Sequence, residues 1–273
     1  MEDAYVVTPH YVAVFDGATP KTAFRFSDGR TPGQVAAQTL SQTLEGLPAD
    51  LTARQAVTQL SEALHNALSG HSGEASGVIC SLSRREVWSV GDCQFAFLYA
   101  DGRWEVHTFE KQIDKILASW RSAIVHSYLS RGLMTAAEVA QDDPGRRIIQ
   151  PFITRQTLYQ NDARRTDSLA FGVFDGNFIP DCFIQIFPIP SDVTEVVLAS
   201  DGYPQLLPTW QETEAALQQM LQDDPLCINA LCGTKGIKPG NVAADDRTYV
   251  QFQLPSIHID DRTRCSSTHP SMP

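Results

Sequence analysis

Two apolar segments that each end in Asp-Gly constrain the fold of this chain most strongly. Tyr11–Phe15 leads into Asp16-Gly17, and Glu195–Ser200 leads into Asp201-Gly202. Apolar and β-branched runs of this kind predict buried strands. Because a carboxylate at the end of a buried strand is costly unless it is paired or bound to a cation, the two segments predict a shared acidic site.

A third acidic segment, the pair Asp245-Asp246, precedes a strand predicted over 248–254. Acidic strand ends that are far apart in sequence are typical of a metal site built from carboxylates. Oxygen ligands favour Mg²⁺ or Mn²⁺, whereas zinc usually binds His or Cys, and the histidines show no HExxH spacing. Asp-Gly is also a common hairpin turn, and we interpret Asp101-Gly102 and Asp175-Gly176 as ordinary turns.

The rest of the chain predicts antiparallel strands in two blocks with amphipathic helices between them. The links between four consecutive strands over 76–109 are too short for parallel crossovers, so these strands are expected to form one antiparallel meander. The pattern favours an α+β fold in which stacked sheets are covered by helices. Strands are predicted at 4–8, 11–15, 76–82, 86–90, 93–99, 104–109, 169–174, 183–189, 195–201 and 248–254, and helices at 32–47, 52–68, 111–156 with a break at Asp143-Pro144, 211–221 and 225–231.

Size and charge limit the classes of function. The 273 residues are 42% hydrophobic, which is enough for a full core and favours one domain. The formal net charge of -11 disfavours binding to nucleic acid or to an anionic membrane surface. The sequence contains neither a signal-peptide pattern nor a long apolar run, so a cytoplasmic protein is expected.

The cysteines are expected to be reduced and structural, because the six of them form no CxxC pair. A cysteine-nucleophile phosphatase is the competing chemistry. Cys80 is followed by Arg84 and Arg85, yet it lies within a predicted strand and lacks a glycine-rich phosphate loop. The sequence also lacks the GxxxxGK[ST] and GxGxxG phosphate-binding motifs.

The order of these short motifs resembles the metal-dependent protein phosphatases, the PPM or type 2C family of serine/threonine phosphatases. The resemblance implies a four-layer α-β-β-α sandwich of two antiparallel sheets flanked by helices. It further implies a phosphatase domain over 1–254 with a divergent helical insert or flap at about 110–167. The composition of residues 255–273, which is polar and rich in Ser, Thr and Pro, predicts a disordered tail. The matching pieces are Met1-Glu2-Asp3-Ala4, Val14-Phe15-Asp16-Gly17, Ser76-Gly77, Val90-Gly91-Asp92, Leu198-Ala199-Ser200-Asp201-Gly202 and Asp245-Asp246-Arg247-Thr248.

The resemblance also implies a set of metal ligands for two Mg²⁺ or Mn²⁺ ions. Asp16 is similar to the carboxylate that bridges the ions, and a metal-activated water attacks phosphorus without a phosphoenzyme. Asp246 is interpreted as a turn or cap residue. Gly17 supplies a backbone carbonyl as a further implied ligand. Asp201 and Asp245 resemble ligands of one ion, and Glu2 and Asp3 lie near the other. Asp92, together with Asp201, resembles the site of a third ion.

Two departures from the family pattern concern the substrate. Many members have His where this chain has Ala18, so protonation of the leaving group is expected to fall to water or another side chain. The family's arginine upstream of the Glu-Asp pair has no counterpart before Glu2, and Lys21 and Arg25 are weak candidates for phosphate binding.

The sequence therefore predicts hydrolysis of phosphoserine and phosphothreonine on a phosphorylated protein partner. The alternative is a catalytically weak phosphatase-like binding or regulatory module that retains metal. A purely structural interpretation, in which every strand-end acid is a turn residue, predicts no response to Mg²⁺ or Mn²⁺.

Overall fold

Two antiparallel sheets form the centre of the computed structural model, which describes residues 1–18, 23–165 and 167–255. In the described residues the first sheet has the strand order β1-β2-β3-β4-β7 and the second has the order β6-β5-β8-β9. The strands are β1 (Ala4–Val7), β2 (Tyr11–Gly17), β3 (Ala75–Ser81), β4 (Glu86–Val90), β5 (Gln94–Tyr99), β6 (Trp104–His107), β7 (Gln185–Pro188), β8 (Val193–Ala199) and β9 (Tyr249–Gln253).

Helices lie outside the two sheets. Thr31 and Thr52 each form a capping box with the Gln three residues later, which fixes where the first two helices begin. The helices are α1 (Pro32–Glu45), α2 (Ala53–Leu68), α3 (Gln112–Ser130), α4 (Ala136–Gln141), α5 (Pro144–Thr154) and α6 (Trp210–Asp223), with short 3₁₀ turns at Arg155–Leu158 and Asp181–Phe183.

Buried side chains form successive layers that match the predicted sandwich. Along β2, Ala13 and Phe15 pack against α1 and α2, whereas Val12 and Val14 pack between the sheets. Along β8, Leu198 packs between the sheets. Residues of α6 pack with the outer face of the second sheet. The predicted α+β fold with two antiparallel sheets flanked by helices is confirmed.

The central strands are buried on both faces, which explains their continuous apolar sequence. Since side chains alternate along a strand, Asp16 continues the face of Val12 and Val14. The fold therefore places this carboxylate in the space between the two sheets.

Three predictions about the secondary structure and its arrangement were wrong. Strands β4 and β5 belong to different sheets, because the chain crosses at Gly91, which has a φ of 94°. Residues 169–174 form isolated bridges instead of a strand, since the Asn161 side chain bonds both the N–H and the carbonyl of Val173. Residues 225–231 form turns instead of a helix, because the Asp224 carboxylate accepts backbone N–H groups there, from Ile228, Asn229 and Leu231.

The helical segment between β6 and β7 forms its own small core. Ile113 and Leu117 of α3 pack with Ile149 and Ile153 of α5. The predicted break is confirmed, because Asp143 caps α5 and Pro144 is its first residue. Ile116 and Trp120 have helical spacing along α3, yet they lie outside this core and are more than two-fifths exposed.

The predicted tail lies almost entirely outside the described residues, which end at 255, and Lys21 lies outside them as well. Among the described helices, none is both long enough and apolar enough to span a membrane.

Candidate metal centre

Asp16 is the middle member of a chain of three carboxylates, in which Asp3 and Asp16 are half-buried and Asp201 is exposed. The Asp16 carboxyl group lies within hydrogen-bonding range of both Asp201 and Asp3. Burial raises the pKa of Asp16 well above its ordinary value, and the charges of Asp201 and Asp3 raise this pKa further. Asp16 and Asp201 are two of the acids that the sequence analysis expected to share a site, and Asp3 lies beside them. We call these three residues the acidic cluster.

Hydrogen bonds hold one of the two carboxylate oxygens of Asp3 in place. The hydroxyls of Ser200 and Thr248 donate to Asp3 Oδ2 at 2.8 and 2.9 Å. In the described part of the chain, Asp3 Oδ1 is buried without a hydrogen-bond partner. Burial raises the pKa of Asp3, although these hydrogen bonds oppose the shift. A buried carboxylate oxygen of this kind is a ready ligand for a cation.

Asp201 follows the end of β8 and completes the acidic cluster. The residue as a whole is exposed, but the surrounding protein displaces water from its carboxyl group and raises the pKa of Asp201 to about 7, and the charge of Asp92 contributes to the shift. The neighbouring Ser200 donates its N–H to the Thr248 carbonyl at 3.1 Å, which ties the end of β8 to the beginning of β9. The second sheet therefore presents Asp201 to the end of the first.

Glycine follows both Asp16 and Asp201 because other backbone segments approach closely at these two positions. A Cβ on Gly17 would lie 2.4 Å from the Gly33 carbonyl oxygen and 2.6 Å from the Glu2 carbonyl oxygen. A Cβ on Gly202 would lie 2.0 Å from the Asp246 carbonyl oxygen. The two Asp-Gly pairs thus allow the segment at Glu2 and the segment at Asp246 to close around the acidic cluster.

Asp92 has a different environment from the acidic cluster. Lys111 Nζ lies 2.9 Å from Asp92 Oδ2, and Ser76 Oγ donates to Asp92 Oδ1 at 2.5 Å. Burial alone would raise the pKa of Asp92, but the Lys111 ammonium and these hydrogen bonds hold it below its ordinary value. Burial would likewise lower the pKa of Lys111, yet the Asp92 carboxylate raises it.

The sequence analysis missed Lys111 as a residue of this region. It immediately precedes α3, and its local sequence resembles that of any solvated lysine at the beginning of a helix. Only the fold shows that the helical insert delivers this ammonium group to Asp92. Burial of a lysine beside a buried aspartate has no signature in a single sequence.

The remaining predicted ligands contact other groups. Glu2 accepts a hydrogen bond from the Thr31 hydroxyl, and Asp245 lies 2.8 Å from Lys235 Nζ. Asp246, which was expected to be a turn or cap residue, accepts the Glu2 N–H at 2.5 Å, and its charge raises the pKa of Asp3. Asp246 therefore faces the acidic cluster more directly than that interpretation implied.

The acidic cluster fits a hard divalent cation in its donor chemistry. Carboxylate oxygens suit Mg²⁺ or Mn²⁺, and mutually repelling carboxylates are stabilised by a cation. Within the described ranges, however, no group of three or more His, Cys, Asp or Glu is placed so that it could hold a metal ion. The cluster thus supplies suitable donors, while a full set of ligands is not assembled.

The competing nucleophile and the phosphate-binding candidate lie in unsuitable environments. Cys80 is fully buried in β3, and burial raises the pKa of its thiol to about 12, so it is protonated at neutral pH. Arg25 is exposed, and its guanidinium donates to the Phe24 carbonyl at 2.7 Å. Neither environment supports a thiolate mechanism or a preformed phosphate site.

Comparison with known proteins gives a limited result. No protein-family model and no curated protein matches the chain. Similar solved structures include the Mycobacterium tuberculosis serine/threonine phosphatase PstP/Ppp, with 16% identity, 93% of this chain and 92% of that chain covered, and a TM-score of 0.47. Serine/threonine phosphatase Stp1 from Staphylococcus aureus has 13% identity, 93% and 89% coverage and a TM-score of 0.45. RsbX in complex with magnesium has 10% identity, 93% and 87% coverage and a TM-score of 0.42.

The first two of these structures are serine/threonine phosphatases, the class of enzyme that the motif order resembles. At such values the likeness carries no argument about the site or its chemistry. Any functional conclusion for this chain therefore has to be built on its own residues.

Proposed function

We propose that this protein is a metal-dependent phosphatase that hydrolyses phosphoserine and phosphothreonine monoesters on proteins. The contact of Asp3, Asp16 and Asp201 between two stacked sheets is the observation that carries the proposal. Three carboxylates in contact repel one another unless protons or cations neutralise them. The ordered motifs that resemble the metal-dependent protein phosphatases supply the reaction class.

Two Mg²⁺ or Mn²⁺ ions are the proposed cofactors. Asp3, Asp16 and Asp201 would hold them, with the Gly17 carbonyl, Glu2 and Asp245 as further candidate ligands. Divalent ions at such a site would activate a water molecule and neutralise charge on the phosphoryl oxygens.

The chain's own residues position the acidic cluster. Ser200 and Thr248 fix one oxygen of Asp3, which supports the orientation of the other oxygen toward the cluster. Gly17 and Gly202 allow the backbone at Gly33, Glu2 and Asp246 to approach the cluster closely. These features favour a preorganised anionic site that needs a cation before it can receive a phosphate.

Hydrolysis of an aryl phosphate and of a phosphopeptide, with and without Mn²⁺, tests the proposal. The double variant Asp16→Ala with Asp201→Ala is expected to lose at least about a hundredfold in rate, because the ions supply several kcal/mol of charge stabilisation. Asp101→Asn changes an Asp-Gly pair on an exposed turn and serves as the matched control. Wild-type activity in the double variant would overturn the proposed function.

A metal-retaining binding module with poor turnover is the second candidate. It is favoured by Ala18, which donates its N–H to the Glu74 carbonyl at 2.9 Å and has no side chain that could protonate a leaving group. This candidate predicts a rise in Tm with Mn²⁺ but no turnover above that of Mn²⁺ alone. A phosphatase rate well above this background would exclude it.

A further inference from the structure

Asp92 is a predicted metal ligand that already forms an ion pair with a half-buried lysine. Lys111 Nζ lies 2.9 Å from Oδ2, and the Ser76 hydroxyl donates to Oδ1 at 2.5 Å. Both oxygens therefore have protein partners. Asp3 Oδ1, by contrast, is buried without a hydrogen-bond partner in the described part of the chain. The two carboxylates present different chemistry to a cation.

Lys111 is built into this position. Its side chain is 17% exposed, and Nζ also lies 3.4 Å from Ser76 Oγ. The ammonium lies 5.2 Å from the centroid of the Phe171 ring, a favourable distance for a cation beside an aromatic face. A solvated lysine would make none of these contacts, so the beginning of α3 places this charge next to Asp92.

A divalent ion at Asp92 would compete directly with this ammonium group. Both cations would need the same buried carboxylate, and two positive charges at hydrogen-bonding separation repel one another strongly where water is scarce. The single charge of Asp92 is already neutralised by Lys111. A further ion at this carboxylate would therefore require Lys111 to leave.

We infer that Lys111 is a resident cation that takes the place of a metal ion at Asp92. The inference rests on the proposed metal centre, and it restricts divalent ions to the acidic cluster of Asp3, Asp16 and Asp201. It departs from the expectation, drawn from the family resemblance, that Asp92 and Asp201 hold a third ion. The helical insert thereby sets how many ions the chain binds.

The number of Mn²⁺ ions bound after equilibrium dialysis, measured by mass spectrometry, tests the inference. Asp92→Asn is expected to bind as many ions as wild type, because Asp92 holds none. Lys111→Ala is expected to gain one ion, since its loss leaves a buried carboxylate without its cation. The double variant is expected to return to the wild-type number.

Lys115→Ala is the matched control, because Lys115 lies one turn along α3 and forms an exposed pair with Glu110. This variant is expected to bind the wild-type number of ions. An equal count in Lys111→Ala and wild type would overturn the inference. Loss of an ion in Asp92→Asn would also overturn it, and this comparison remains decisive if Lys111→Ala does not fold.

The same assay separates this inference from the proposed function. Asp16→Asn is expected to lower the ion count, and an unchanged count would contradict the proposed metal centre. The Lys111 inference depends instead on the differences between variants at Asp92. The two conclusions can therefore fail independently.

Discussion

At the scale of single residues, the Asp-Gly pairs of this chain are of two physical kinds. Gly102 and Gly176 have φ angles of 85° and 82°, so they are turn glycines that permit a left-handed backbone. Gly17 and Gly202 are required because carbonyl oxygens lie within 3 Å of where a Cβ would be. The positive φ angles of Gly102 and Gly176 agree with the ordinary turns expected at those two pairs.

Asp201 makes the metal-free protein sensitive to pH. Its pKa is about 7 in the folded protein, because of desolvation and the charge of Asp92, but about 3.9 in an unfolded chain. The folded state therefore holds this proton more tightly, so stability falls as pH rises from about 4 to about 7 and stays lower above that range. In EDTA at pH 8, Asp201→Asn is expected to raise the free energy of unfolding by about 1 kcal/mol, because Asp201 is exposed and solvent screens its repulsion from the neighbouring carboxylates.

Thermal unfolding in EDTA at pH 5 and pH 8 checks this prediction. The advantage of Asp201→Asn over wild type should be smaller at pH 5, where wild-type Asp201 is largely protonated. Asp101→Asn removes an exposed ion pair with Arg103 and is expected to change stability by less than about 1 kcal/mol. A lower Tm for Asp201→Asn at pH 8 would contradict the account of a repulsive acidic cluster.

At the scale of elements, the sequence predicted the strands and helices whose periodicity was uninterrupted. It failed where a single polar side chain replaced regular hydrogen bonding. Asn161 takes both backbone groups of Val173, and Asp224 takes several N–H groups after α6. Such long-range or local competition for backbone groups leaves the apolar pattern unchanged, so periodicity cannot detect it.

Arg121 joins the helical insert to the segment after α6. It is fully buried on α3, and it bonds Asp143 at 2.7 Å as well as the carbonyls of Leu226, Cys227 and Gly233. Arg121→Met would leave these carbonyls and Asp143 without their donor. We expect a loss of about 3–5 kcal/mol in the free energy of unfolding, measured in urea.

Arg147→Met is the control for this change, because Arg147 forms an exposed ion pair with Asp142 on the same insert. It is expected to alter stability by less than about 1 kcal/mol. If Arg121→Met were as stable as Arg147→Met, Arg121 would not be what holds the insert in place.

At the scale of the whole molecule, burial of β2 and β8 on both faces made stacked sheets predictable. The assignment of strands to sheets was not predictable, because the link from β4 to β5 is as short as a hairpin. Convergence of Asp3, Asp16 and Asp201 depends on that arrangement, and so does the meeting of Lys111 with Asp92. The order of the motifs indicated Asp3, Asp16 and Asp201, whereas the ammonium group of Lys111 beside Asp92 became evident only in the folded chain.

A crystal structure of the wild-type protein grown with Mn²⁺, with anomalous maps recorded at the manganese absorption edge, tests the central claim most directly. We expect manganese at coordination distance, about 2 Å, from carboxylate oxygens of Asp16 and of at least one of Asp3 and Asp201. A map with no manganese at Asp16, in crystals that contain Mn²⁺ at saturating concentration, would contradict the claim that this protein is built around a metal centre.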